Sequence, residues 1–176
     1  MPSALTHRSV LAWAFYDWAN SAFATTVMAG FFPVFYSAIS DDLSVQDAQF
    51  WFNVALFAAS LSVAVSAPIL GAVADRGGSR KRFLALFTML GVLMTAGLVW
   101  VHAGQWPLGL ALYALGTVGF AGANVFYDSM LTDIAGEDDF DLVSAFGYAL
   151  GYVGGGLLFA VNVLMAQQPG WFGLAD

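Results

Sequence analysis

Four long stretches of this chain carry no charged side chain: Trp18 to Ser40, Ala48 to Ala74, Phe83 to Tyr127 and Leu142 to Ala175. A helix needs about 20 apolar residues to cross the hydrocarbon of a bilayer. Backbone in lipid must satisfy its own hydrogen bonds, so only helices and closed barrels can span. The first, second and fourth stretches suit one helix each. The third has room for two, and His102-Ala103-Gly104-Gln105-Trp106-Pro107 reads as the turn between them, with Trp106 at an interface. The charge pattern therefore predicts an all-α polytopic membrane protein. It forms one bundle over residues 1–176, with five spans at roughly 11–38, 49–73, 83–102, 107–132 and 143–166.

Composition closes the other routes. Of the 176 residues 60% are hydrophobic and 10% charged, against about 25% charged in a soluble domain. A net charge of -7 excludes a basic nucleic-acid binder, and the absence of Cys removes disulfide scaffolds, thiol catalysis and Cys-based metal sites. Lipid is the expected surrounding. The first apolar stretch is too long, and lacks the small-residue cleavage site, to be a signal peptide.

Orientation follows from five basic residues, Arg8, Arg76, Arg80, Lys81 and Arg82. With five spans, all of them fall on the side of the N-terminus. The bias of Lys and Arg toward the cytoplasm then places the N-terminus inside, in an inner membrane, and the end of this chain outside. An odd number of spans ending just after a helix reads as an interrupted protein. Trp51, Trp100, Trp106 and Trp171 all fall toward the outer side, as an interfacial belt does. Pro33 and Pro68 are expected to kink the first and second spans.

The loop between the second and third spans reads Gly71-Ala72-Val73-Ala74-Asp75-Arg76-Gly77-Gly78-Ser79-Arg80-Lys81-Arg82. Gly77 and Gly78 permit a tight reversal with positive φ. Three cations then open a helix, where the macrodipole disfavours them. On composition alone the loop is one that holds positive charge inside. The spacing Gly71, Asp75, Arg76, Gly78, Arg80 resembles the cytoplasmic signature of the major facilitator superfamily, which lies between that family's second and third helices. Val73 stands for the usual Leu, and Ser79 stands where a basic residue is common. The resemblance implies a cytoplasmic gate at Asp75, with Arg80 and Asp133 as its charge relay.

Three further strings narrow the resemblance. Trp13-Ala14-Phe15-Tyr16-Asp17-Trp18-Ala19-Asn20-Ser21 is similar to the opening helix of the "unknown major facilitator" family, which includes vacuolar amino-acid effluxers of autophagy. Asn124-Val125-Phe126-Tyr127-Asp128-Ser129 and Ser144-Ala145-Phe146-Gly147-Tyr148-Ala149-Leu150-Gly151 are similar to its fourth and fifth helices. The resemblance covers essentially the whole chain, but only the first five of about twelve helices. It implies secondary transport of a small solute, amino acids among the candidates, by alternating access. It also implies a partner in the missing C-terminal half. The family's helix-four motif beginning with Arg is absent, which argues against an Arg-coupled proton step.

Two acids lie where acids are expensive. An ionised Asp at a bilayer centre costs about 2.5–3.5 kcal/mol on insertion scales, less toward the interface. Asp17 belongs to a stripe with Asn20, Ser21 and Ala24, and Asp128 to one with Tyr113, Thr117, Phe120 and Asn124. The resemblance places both stripes, with Tyr16 beside Asp17, on the wall of a substrate or proton cavity. The alternatives are interfacial acids that orient helix ends, and Asn20 and Asn124 as ordinary interhelical hydrogen bonds. Gly147, Gly151 and Gly155, at i, i+4 and i+8, read as a helix-packing seam, with Gly154 and Gly156 beside them.

Enzyme chemistry finds no purchase. Intramembrane aspartyl proteases need Gly-x-Gly-Asp on their second catalytic helix, and that string is absent. His7 and His102 fall on opposite sides, which leaves no His-based dyad or metal site, and no phosphate-cradling loop is present. No catalytic residue, metal or cofactor is expected. The competing class is a membrane scaffold or assembly protein that does not transport.

Overall fold

The computed structural model describes residues 4–174, with the backbone alone between Ala74 and Gly77. Five helical rods among them are long and apolar enough to cross a bilayer: Arg8–Ile39, Val45–Val73, Arg80–Trp100, Trp106–Ile134 and Glu137–Gln167. The chain is thus an α-helical integral membrane protein.

The first rod is not wound as an α-helix throughout. It begins as α1 (Arg8–Ala22), widens into a π-wound segment (Phe23–Phe31) and returns to α2 (Phe32–Ile39). In a π turn the amide bonds five residues back, as the Phe32 N–H does to the Val27 carbonyl. The residues here favour the widening. Thr25, Thr26 and Val27 are β-branched and crowd an α turn. The Thr25 hydroxyl lies 3.1 Å from the Ser21 carbonyl and 3.0 Å from that of Gly155, so it can serve carbonyls that the π winding disturbs.

The remaining rods are α3 (Val45–Gly77), α4 (Arg80–Gly97), α5 (Trp106–Ser129) and α7 (Phe140–Gln167), with a single turn α6 (Leu131–Ile134) after α5. Local chemistry sets their ends. Ser44 and Asp47 cap α3 reciprocally: the Asp47 amide donates to Ser44 Oγ at 3.1 Å, and that hydroxyl donates to Asp47 Oδ2 at 2.7 Å. Gly78, at φ 57°, makes the left-handed reversal between α3 and α4. Gly104, at φ 79°, turns the chain into α5, whose first turn carries Pro107.

The chain divides into two compact units. One joins α1 and the π segment to α6 and α7; the other, Pro33–Met130, holds α2 to α5. In the second unit α5 packs against both α3 and α4 and is buried on most sides, through Leu110, Tyr113, Gly116, Gly119, Ala123 and Phe126. Its contacts are aromatic and close. Phe126 stacks on Phe83 and Phe87 with centroids 5.2 and 5.8 Å apart, and Tyr113 stacks on Phe52 at 5.7 Å. Val54, Phe57, Leu61, Val65, Ile69 and Val73 run exposed down α3 at helical spacing. Such a stripe is at ease in acyl chains or against further protein.

Candidate functional site

The first unit is assembled around a register of fours. Trp13, Asp17, Ser21 and Thr25 on the first rod face Gly147, Gly151 and Gly155 on α7. A methyl group on Gly147 would enter the Trp13 ring. One on Gly151 would strike the Asp17 carboxylate and come within 2.8 Å of Ser21 Oγ. On Gly155 it would lie 3.0 Å from the Thr25 side chain and 3.1 Å from the Ser21 carbonyl. Gly154, between them, faces the backbone and indole of Trp18. The glycines thus form a seam into which a carboxylate and two hydroxyls fit. Tyr16, one turn before Asn20, points its hydroxyl at Asn20 Oδ1, 3.5 Å away.

Two tyrosines that the sequence reading passed over complete this face. Tyr148 and Tyr152 are 65% and 67% exposed, with hydroxyls 3.3 Å apart and rings edge-on at 4.9 Å. Asp17 lies within electrostatic reach of Tyr148. Both tyrosines sit deep in a spanning helix, where a phenol turned to acyl chains lacks the polar partner it normally finds. Their signal in the sequence is the i, i+4 spacing, in step with Gly147 and Gly151.

The second unit holds the other acid. The N-terminal half of its expected stripe is not open: Tyr113 is buried against Phe52, and Thr117 is buried with its hydroxyl donated to the Tyr113 carbonyl at 2.9 Å. The C-terminal half remains accessible, with Asn124 partly buried and Asp128 exposed. Beyond Asp128 the Arg80 guanidinium donates to the Ser129 carbonyl at 3.1 Å. A cation at the start of α4, unfavourable to its own helix dipole, therefore sits on the negative end of α5.

Of the remaining residues expected at a gate, Asp75 and Arg76 lie outside the described side chains. Gly71 meets nothing within 4 Å of an added Cβ, and Gly78 owes its identity to its φ. Asp133 is exposed on α6 in the first unit. Trp51 and Trp106 meet with centroids 6.1 Å apart, the aromatic cluster at one end of the second unit. Among the described residues no group of three or more His, Cys, Asp or Glu is placed to hold a metal ion.

Comparison with known proteins fits this architecture. The family described as "Vacuole effluxer Atg22 like" matches residues 5–140. An uncharacterized MFS-type transporter of Bacillus subtilis (strain 168), YxiO, is 38% identical over 161 residues, which are 89% of this chain and 38% of that protein. An uncharacterized protein of Aquifex aeolicus (strain VF5) is 29% identical over 159 residues, 90% of this chain and 39% of its own. The chain thus spans about two-fifths of the length of these curated relatives. No solved structure matches it. With the family match running through the first four rods and their motifs, the chain belongs to the Atg22-like vacuole effluxer family, and the Bacillus subtilis relative is described as a transporter of the major facilitator type.

Proposed function

We propose that this chain supplies the first five helices of a facilitator-type secondary carrier, which moves a small solute, amino acids foremost, across the bacterial inner membrane by alternating access. One observation carries the reading: the Asp17 carboxylate and Ser21 hydroxyl lie in the Gly151 notch, and Asp17 is within electrostatic reach of the exposed Tyr148. That polar face, set deep in apolar rods, is suited to water and a solute, and costly against lipid. Asp17 with Tyr16 and Asn20, and Asp128 with Asn124, line the path and accept a solute group or a proton in turn. Gly71, Asp75, Arg76, Gly78, Arg80 and Asp133 form the cytoplasmic gate, and the Arg80 bond to the Ser129 carbonyl supports it by tying α4 to α5 beside that loop. The five basic residues favour a cytoplasmic N-terminus.

A second helical bundle is the remaining partner, in keeping with the length of the relatives. Five spans alone have nothing to rock against, and do not transport. The test is efflux of labelled amino acids from vesicles carrying the product of the complete reading frame. Efflux above empty vesicles is expected, with a pH profile altered by Asp17→Asn. No efflux of any amino acid sinks the solute class and favours a membrane scaffold; an unaltered profile returns Asp17 to a structural role.

A further inference from the structure

A cleft of about 480 Å³ opens within the second unit, where α2 and the start of α3 diverge. Pro33, Tyr36, Ser37 and Ser40 line it from α2 and its end, Ala48, Gln49 and Phe52 from α3, and Asp41 closes it from the connecting loop. Its size suits a small organic ligand. The walls are held in place. The Tyr36 hydroxyl donates to the Ala48 carbonyl at 3.1 Å, Ser40 Oγ donates to the Tyr36 carbonyl at 2.7 Å, and the Tyr36 and Phe52 rings lie 5.6 Å apart. Phe52 is itself backed by Tyr113.

The charge around the cleft has one sign. Asp41 is on its rim and exposed, and Asp42 acts electrostatically on Tyr36. The end of α4 is drawn to this side, because the Gly104 amide in the α4–α5 turn donates to the Ile39 carbonyl at 2.9 Å. The basic side chains Arg80, Lys81 and Arg82 open the far end of that 18-residue helix, roughly 27 Å away at 1.5 Å per residue. His102, in the α4–α5 turn, is exposed and is not among the cleft's lining residues. A carboxylate with no Lys or Arg among the residues that line the cleft, set against an aromatic wall with hydroxyl and amide groups beside it, matches a small organic cation. An anion would meet the Asp41 carboxylate at the rim and no cation in the lining.

We propose that this cleft binds an ammonium group, the Asp41 carboxylate acting as counter-ion and the Tyr36 and Phe52 rings as its aromatic wall. The ammonium belongs either to a free amine or to the ethanolamine headgroup of a lipid. It is a site apart from the Asp17 face, and stands or falls without it.

The test uses the full chain in phosphatidylglycerol nanodiscs, titrated with ethanolamine and with tetramethylammonium by calorimetry. Retention of phosphatidylethanolamine over phosphatidylglycerol is followed in parallel by native mass spectrometry. Asp41→Asn is expected to weaken binding about tenfold, and Phe52→Leu a few-fold. Asp141→Asn, an exposed acid in the first turn of α7, leaves it unchanged. Saturable ethanolamine binding identifies the free amine; headgroup-selective retention lost in Asp41→Asn identifies the lipid; either supports the site. Absence of both, or an Asp41→Asn variant that binds like wild type, overturns it. Asp41 is exposed, so its variant folds even where Phe52→Leu does not.

Discussion

Glycine seams build both units of this protein, and they are filled differently. In the second unit Gly119 of α5 faces backbone: an added Cβ would lie 2.5 Å from the Gly91 nitrogen, 2.8 Å from its Cα and 2.8 Å from the Phe87 carbonyl. Gly122, one turn on, faces the Phe87 ring. In the first unit Gly154 and Gly155 of α7 also meet backbone, but at Gly151 the nearest atoms all belong to side chains, the Asp17 carboxylate and the Ser21 hydroxyl. Small residues let membrane helices approach in both places. Where the space goes to backbone and phenyl rings, the result is a dry joint. Where it goes to polar groups, the helix pair carries a chemical face at no loss of packing.

The contrast is broken or sharpened first at Gly119. Its neighbours are backbone atoms and cannot rotate away, so Gly119→Ala should cost at the upper end of the overpacking range, about 2–3 kcal/mol. Thermal unfolding in detergent, followed by circular dichroism, reads it as a large drop in Tm. A drop no greater than that of Gly151→Ala would erase the distinction. At Gly151 the obstructing atoms end rotatable side chains, so Gly151→Ala should cost only about 1 kcal/mol. Its larger effect is functional, because the displaced carboxylate no longer sits beside Tyr148. In vesicles bearing the complete reading frame, efflux should fall by about tenfold or more while the protein stays folded.

The sequence made the fold class and the family legible, because both rest on local signals. Charge-free stretches mark the rods, and the Gly71-to-Arg80 spacing marks the loop. It made the site legible only one helix at a time. The i, i+4 series of Asp17 with Ser21, and of Gly147 with Gly151, each stand out alone. That the carboxylate sits in the glycine notch depends on residues 134 apart in sequence (151 − 17), which no periodicity reports. The stripe on α5 divides for a related reason. A polar residue at helical spacing can line water or be buried with its hydroxyl returned to the backbone, and Thr117 does the second. The π winding was hidden because β-branched triplets also occur in ordinary α-helices.

Two smaller effects test how each unit secures its helix ends and bends. Arg80→Gln removes the cation from the Ser129 carbonyl and from the negative end of α5. A loss of about 0.5–1 kcal/mol is expected, the usual worth of a charge at a helix terminus. If high salt fails to shrink the difference between variant and wild type, the dipole account of Arg80 is wrong. Thr25→Val, in the first unit, deletes a hydroxyl that lies 3.0 Å from the Gly155 carbonyl on α7. Interhelical hydrogen bonds in membranes average about 0.6 kcal/mol, so a loss of that order is expected. No measurable loss would mean that the π segment is held by ring packing alone, through Phe31 and Phe159 with centroids 6.2 Å apart.

The adjacent residue should move the other way. Thr26 has the same side chain in the same π segment, yet its hydroxyl oxygen is buried and finds no hydrogen-bond partner among the described residues. A buried hydroxyl left unsatisfied loses its solvation for nothing, whereas an apolar group of the same shape does not. Thr26→Val keeps the β-branching that crowds an α turn and removes only the orphaned group. It should therefore leave stability unchanged or raise it by a few tenths of a kcal/mol, against the loss at Thr25. Measured side by side in the same detergent, the two valines separate winding from bonding. If Thr26→Val destabilises as much as Thr25→Val, the Thr26 hydroxyl has a partner in the membrane-embedded protein, and the π segment is a second polar element of the first rod.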